Sequence, residues 1–336
     1  MSNTLFILTN TFASALCSHF SLGYLLMDPI LVSTGRLNKV WKLSTQTGLY
    51  ALKCVFSKSA YEETDKIANN FKNVGLPVIT MHPKGLYLYG MYCFQLFDWI
   101  KGKKLTPDKI TEKQVEIVGN LLARFHSLSL QSTQLDVTIL NNSFHNYTMS
   151  YDMDLWVSVL HKAVSLKVNE YNQLKSLSPL LVKIAERSSV SAAQLSSTCV
   201  ISHRDISPNN VIWKQKDKPI IIDWELAGLI HPTAEVIGAA FDWSIVHPTQ
   251  IDILRYQRLV QAYVNSGGIL NHISLAFEAA MGVWLNWLLY NLRCFVANKD
   301  TKIAEREAAR TLLTFKAVYN RKEIWLSLLN KELNKE

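Results

Sequence analysis

Apolar residues recur along this chain with two different periods, and the change from one to the other divides it. Near the start, Phe12, Leu16, Phe20 and Tyr24 fall four apart, which predicts a short helix within 9–24. Pro29 closes that segment. Ile30 to Leu43 then alternates loosely, broken by Ser33-Thr34-Gly35-Arg36-Leu37-Asn38, and a strand resumes from Leu49 to Phe56 after Thr47-Gly48. One helix follows, with Ile67, Ala68, Phe71 and Val74 as its apolar side. Leu86 to Trp99 gives two more strands around Gly90, ending in Phe97-Asp98-Trp99-Ile100-Lys101-Gly102, a natural hinge.

Beyond the hinge the helical period takes over. Val115, Val118, Leu121, Leu122, Phe125 and Leu128 recur at three and four and predict a helix from about Thr111. Residues 131–146 are polar and Asn-rich and predict a surface loop. Residues 153–186 read as one helix with Leu155, Val159, Ala163 and Leu166 along a stripe, and Ser188 to Thr198 as a connector. After His231-Pro232 come helices at roughly 233–247, 249–266, 272–297 and 301–334. The pattern predicts an α+β chain in two parts: 1–100, a small antiparallel sheet with one main helix, and 101–336, larger and mostly helical.

Composition narrows the class. The chain has 336 residues, 49% hydrophobic and 18% charged, which suits a globular protein with room for two cores. The formal charge of +8 is dispersed. Clusters such as Lys101-Gly102-Lys103-Lys104 are short and lack interleaved aromatics, so a nucleic-acid surface is not expected. The five cysteines Cys17, Cys54, Cys93, Cys199 and Cys294 lack metal-ligand spacing and read as reduced thiols of a cytoplasmic protein. No Lys or Arg precedes the apolar stretch from Leu5, so no secretory signal is expected. The uncharged stretch Ala279–Leu292 is too short to span a bilayer, and no membrane partner is expected.

Two stretches carry candidate chemistry. Val200-Ile201-Ser202-His203-Arg204-Asp205-Ile206-Ser207-Pro208-Asn209-Asn210 presents His-x-Asp-x-x-x-x-Asn between two strands, and Pro219-Ile220-Ile221-Ile222-Asp223-Trp224-Glu225 brings a second Asp out of a buried strand. Phosphoryl transfer from a metal-bound nucleotide needs such a set: a carboxylate to orient the acceptor hydroxyl, and an Asn and an Asp to hold magnesium. Lys53 shares a strand face with Ala51 and Val55, and a lysine on an apolar face needs an anionic partner. The next helix offers Glu62 and Glu63.

Taken in order, the Gly-turn hairpin, strand lysine, helix glutamate, hinge, Leu121-Leu122-Ala123-Arg124-Phe125-His126, His203-x-Asp205-x-x-x-x-Asn210 and Ile222-Asp223-Trp224-Glu225 resemble the aminoglycoside phosphotransferase and choline kinase family over about residues 10–300. That resemblance implies a two-lobed protein-kinase-like fold and ATP-dependent, magnesium-assisted transfer to a hydroxyl of a small molecule, an aminoglycoside-type antibiotic or a metabolite such as choline or thiamine. It implies Asp205 as catalytic base, Asn210 and Asp223 as magnesium ligands, and Lys53 as the phosphate-binding lysine with Glu63, or else Glu62, as partner. It also implies adenine contacts from the backbone of Asp98 and Ile100, and phosphate contacts from the loop at Gly35. His203 and Trp224 read as bracing and packing residues. For the acceptor the residues to watch are Glu225, Glu235, Asp242, Trp243 and Trp287, with Asp252, Glu278, Trp284 and Tyr290. Helical spacing alone reads Trp284, Trp287 and Tyr290 as core.

The chain departs from the family pattern in two places. Gly35 stands where two adjacent glycines are frequent, and Glu235 takes the place of a second aspartate, where it could anchor the catalytic loop. A protein kinase is not expected, since Asp223 is followed by Trp-Glu and no Ala-Pro-Glu appears. A non-catalytic nucleotide-binding or regulatory protein on the same fold is the alternative.

Overall fold

A computed structural model describes residues 6–34, 38–55, 61–131, 152–299 and 301–333. Two compact units emerge: Met1–Lys103 with Ile212–Glu225, and Lys104–Val211 with Leu226–Glu336. The expected fold class holds, a small antiparallel sheet in the first unit and a mostly helical second unit.

The first unit begins with α1 (Asn10–His19), capped by the Thr9 hydroxyl on the Phe12 amide. It continues with β1 (Ile30–Thr34), β2 (Asn38–Thr45), β3 (Gly48–Val55), α2 (Tyr61–Asn73), β4 (Leu86–Tyr89) and β5 (Tyr92–Asp98). The strands form one sheet in the order β1-β2-β3-β5-β4, antiparallel throughout. Leu16 and Cys17 of α1, with Phe20 just past its end, pack with Trp41, Leu43, Leu52, Cys54, Phe94 and Leu96 of the sheet. Tyr24, the fourth residue of the predicted stripe, is exposed because the helix stops at His19 and the chain turns through Ser21 and Gly23 at positive φ.

A late segment completes this unit: the end of β7 (Val211–Gln215), β8 (Lys218–Ile221) and the residues to Glu225. Backbone bonds fasten it. Lys103 and Trp213 exchange N–H···O bonds of 3.1 and 2.9 Å, while the Ile221 amide donates to the Pro77 carbonyl at 2.8 Å. Gly102 permits the first of these, since a Cβ there would lie 2.7 Å from the Trp213 carbonyl oxygen.

The second unit holds α3 (Glu112–Gln131), α4 (Met153–Ser165), α5 (Tyr171–Leu195), β6 (Val200–Ser202), β9 (Gly228–Ile230), α6 (Pro232–Ser244), β10 (Ile245–His247), β11 (Gln250–Ile251), α7 (Ile253–Asn265), α8 (Ile273–Val296), α9 (Thr301–Tyr319) and α10 (Lys322–Leu333). Several boundaries differ from the predicted ones. The helix expected over 153–186 is two, α4 and α5, separated by Lys167 and Glu170 at positive φ. α5 runs to Leu195 through the stretch expected to be a connector, because small residues such as Ala192 bury there. The helix expected to 247 stops at Ser244, where β-branched Ile245-Val246 and the turn before Gln250 form a short hairpin instead. The last predicted helix divides at Asn320-Arg321, and Trp325 of α10 donates to the Val318 carbonyl across the break. The expected loop over 131–146 lies, from residue 132 on, outside the described residues.

α8 has 24 residues and is long and apolar enough to cross a membrane, longer than the stretch read from sequence. Its Ala276, Phe277, Met281, Leu285, Leu288 and Leu292 side chains are buried in this unit, as in a core helix. All five cysteines are free thiols. Trp325 sits at the core between Tyr256 and Phe241, ring centroids 5.0 and 5.3 Å away.

Gly119 lets α3 and α7 approach closely: a Cβ there would collide with the Leu259 carbonyl and lie 2.9 Å from the Ala262 methyl. Although Ala is the better helix former, Gly119→Ala should destabilise the protein by roughly 1–3 kcal/mol through overpacking. Chemical denaturation checks this, and a raised midpoint would contradict the packing argument.

Candidate active site

In the first unit, β3 carries Lys53 inward, paired in register with Val40 on one side and Gln95 on the other. Its ammonium lies 2.7 Å from Asp223 Oδ1 and 2.5 Å from Glu225 Oε1. Burial would lower its pKa, but these two carboxylates outweigh that and hold it above its ordinary value, so the ammonium stays charged. The anions at the amine are therefore Asp223 and Glu225, 170 or more residues away in sequence, where the sequence suggested a glutamate of the next helix. Glu63 is half-buried on α2; the side chain of Glu62 lies outside the described residues, as does Gly35. Glu225, read from sequence as an acceptor residue, is held a second time by Asn38, whose Nδ2 donates to its two oxygens at 3.1 and 2.9 Å.

Asp223 adopts φ +67°, the left-handed region that costs a non-glycine residue about 1–3 kcal/mol. Trp224 is buried against Phe71, ring centroids 5.7 Å apart, so it packs and does not face a ligand. β5 ends at Asp98, and the Trp99 amide donates to the Leu49 carbonyl at 2.9 Å, which fixes the strand end from which Asp98 and Ile100 extend.

In the second unit, the loop after β6 carries Asp205. Its side-chain Oδ2 accepts from Asn210 Nδ2 at 2.7 Å, and the same nitrogen donates to the Asp205 carbonyl at 3.0 Å. A carboxylate only accepts, so the Asn210 amide must present its nitrogen to Asp205 and its Oδ1 elsewhere. That oxygen is a hard donor of the kind that a magnesium ion takes, and so, within the first unit, is the carboxylate of Asp223.

The loop is pinned from beneath. Arg204 sits at φ +70°, and its amide donates to Glu235 Oε1 at 2.7 Å. Glu235 Oε2 accepts from His126 Nε2 at 2.7 Å, and His126 Nδ1 lies 2.9 Å from the Tyr263 hydroxyl. Burial alone would push the Glu235 carboxyl up; the hydrogen bond and charge of His126, with the Arg204 amide, hold it below its usual range. His203 is fully buried and its Nδ1 accepts the Asp205 amide at 3.3 Å. Trp243, also buried, donates from Nε1 to the Ile206 carbonyl at 2.7 Å. Glu235 and Trp243 therefore hold the loop from inside the unit and do not stand where an acceptor could reach them. His126 was visible in sequence only as part of a motif, with nothing to reveal its partner.

Asp242 is half-buried one residue before Trp243. Burial first, and the Asp205 charge second, push its carboxyl up to about 7, against the Trp284 indole and Arg310. Trp284 packs on Phe241 at 5.6 Å. Trp287 is 40% exposed and stacks with Tyr290 at 5.4 Å and 13°, so these aromatics are not the helix core that their spacing suggested. The core stripe of α8 passes through Leu285 and Leu288 instead.

The chain belongs to the APH phosphotransferase enzyme family, whose sequence profile matches residues 30–266. Members of this class are small-molecule kinases. Comparison with curated proteins finds no match in sequence. Among solved structures the fold is similar to that of a spectinomycin phosphotransferase in complex with ADP and spectinomycin, with TM-score 0.69, 11% identity, and 97% of this chain and 98% of that chain covered. It is similar also to an ethanolamine kinase of Plasmodium vivax (TM-score 0.59, 13% identity, 96% and 94% covered) and a choline kinase of Cryptosporidium parvum Iowa II (0.58, 12%, 97% and 100%).

The position of Asp242 gives a test with a definite sign. A carboxyl whose folded pKa is raised from 3.8 to about 7 contributes stability at low pH that is lost as pH rises through that range. Asp242→Asn lacks that loss. Its melting temperature relative to the unsubstituted protein should therefore climb between pH 5 and pH 8; a difference constant with pH would show that Asp242 is not held protonated.

Proposed function

We propose that the protein transfers the γ-phosphoryl group of ATP, with magnesium, to a hydroxyl of a small molecule. The observation that carries this reading is the Asn210–Asp205 pair. One amide orients the carboxylate through its nitrogen and leaves its oxygen directed away from Asp205, which serves a base and a metal ligand at once. Asp205 accepts the proton of the acceptor hydroxyl and aims its oxygen for in-line attack. Lys53 binds the nucleotide phosphates, and the backbone of Asp98 and Ile100 takes the adenine. Gly35 contributes to the phosphate loop. Asn210 Oδ1 and the Asp223 carboxylate are the oxygen donors for magnesium, which supplies neutralisation of phosphate charge when bound.

For the acceptor we assign a small cationic alcohol. Asp242 offers a carboxyl beside Asp205, and Trp287, 40% exposed and stacked on Tyr290, offers an aromatic face, a combination suited to an ammonium group. Spectinomycin, ethanolamine and choline, named with the similar structures, are of this chemical class. The five free thiols and the use of ATP in this reading support a cytoplasmic location.

Replacing Asp205 by Asn should lower turnover by about a hundredfold or more while leaving Mg-ADP affinity within a few-fold. A coupled assay over aminoglycosides, choline, ethanolamine and thiamine identifies the acceptor first. Turnover unchanged in that variant would remove Asp205 from the mechanism.

A further inference from the structure

Asn38, the first residue of β2 and the last of the turn expected at Gly35, was given no role by the sequence, yet it spends its side-chain amide on Glu225, 187 residues later, at 2.9 and 3.1 Å. The geometry poses a problem that this contact solves. Glu225 Oε1 already lies 2.5 Å from the Lys53 ammonium, and Asp223 holds the same ammonium at 2.7 Å. A lysine that is to receive phosphates here already has two of its three N–H donors on carboxylates. When phosphate oxygens take the ammonium, Glu225 loses its counter-ion while its side chain is only 20% exposed. An anion so placed needs other donors, or it will compete with the phosphates for the lysine.

We propose that Asn38 is a positioning residue of the nucleotide site: by donating to both Glu225 oxygens it retains that carboxylate when Lys53 turns to the phosphates. The inference rests on the assignment of Lys53 to nucleotide phosphates made above. Asn38 touches no reacting atom in this scheme and acts through Glu225. Removing it leaves Glu225 with Lys53 as its remaining strong partner, so the ion pair tightens and the nucleotide must break it. The effect falls on nucleotide binding and not on the chemical step.

The experiment is a double-substitution cycle on the full chain, read by calorimetric titration with ADP, with and without magnesium, and by steady-state kinetics in ATP. Asn38→Ala should weaken ADP binding and raise KM for ATP by on the order of tenfold, the size of one charge-assisted hydrogen bond, with kcat within about threefold. Asn38→Asp, which faces Glu225 with a like charge, should weaken binding further. In a Glu225→Ala background, Asn38→Ala should change ADP affinity by less than twofold, because the group it holds is gone. Thermal unfolding of each variant establishes that it is folded. Should Asn38→Ala not fold, Asn38→Ser, which retains a donor, is compared with Asn38→Asp in its place, and Ser should bind ADP the more tightly. Equal effects of Asn38→Ala in both backgrounds, or a loss confined to kcat, would overturn the inference. Failure of the unsubstituted protein to bind ADP at all would instead overturn the assignment of Lys53.

Discussion

A carboxylate with almost no access to water, Glu235, fixes the loop after β6, and its need for partners shapes the second unit. Burying an ionised group costs several kcal/mol unless each lone pair finds a donor. Glu235 finds one for each oxygen: the Arg204 amide at the loop, and His126 Nε2 from α3. His126 in turn contacts the Tyr263 hydroxyl of α7. One charge thus ties α6, α3, α7 and the loop after β6 together. Removing a single partner from such a pair costs roughly 3–5 kcal/mol, since the charge stays behind unpaired. The network is worth more to the precision of the loop than to net stability, because an apolar core of equal volume would serve stability as well.

The same constraint recurs in the first unit with the sign reversed. There the buried group is the Lys53 ammonium, and Asp223 and Glu225 answer it. Both loops also store backbone strain at the residue that the buried charge restrains: Arg204 at φ +70° bonded to Glu235, and Asp223 at φ +67° bonded to Lys53. Left-handed backbone at a residue with a side chain persists only where surrounding bonds over-determine it. Each strained residue therefore has its strain offset by the charge next to it, and the neighbouring side chain inherits a fixed direction.

What the sequence made legible follows from how local each signal is. His203, Asp205 and Asn210 lie within eight residues, so the motif that holds them was readable, although the hydrogen bond from the Asn210 amide to Asp205 emerged only with the structure. The α3 stripe from Val115 to Phe125 was readable because its period is unbroken. The partner of Lys53 was not, since its anions come from a segment 170 residues on that joins the sheet through Ile221 and Trp213. Nearby glutamates on α2 were the choice that local reasoning had to make. Lys167 and Glu170 break the helix without a glycine or proline, so composition gave no stop signal for α4. For α8, aromatic spacing pointed to Trp284 and Trp287 as core, but the small residues Ala276 and Ala280 define the packed face instead. Periodicity says which residues share a face; it does not say which face the neighbours cover.

Asp242 draws these threads into the acceptor question. Two carboxylates brought together in a half-buried setting cannot both ionise at little cost, and one of them takes up a proton. Here the burden falls on Asp242, pushed up to about 7 by its burial and by the Asp205 charge. On the proposed function, a cationic acceptor that binds beside Asp242 supplies the charge that a protonated Asp242 lacks, and it favours loss of that proton. An uncharged alcohol does not. On that reading the carboxyl would discriminate by charge at the acceptor, and the half-exposed Trp287, stacked on Tyr290, would add an aromatic face that a neutral competitor uses less well.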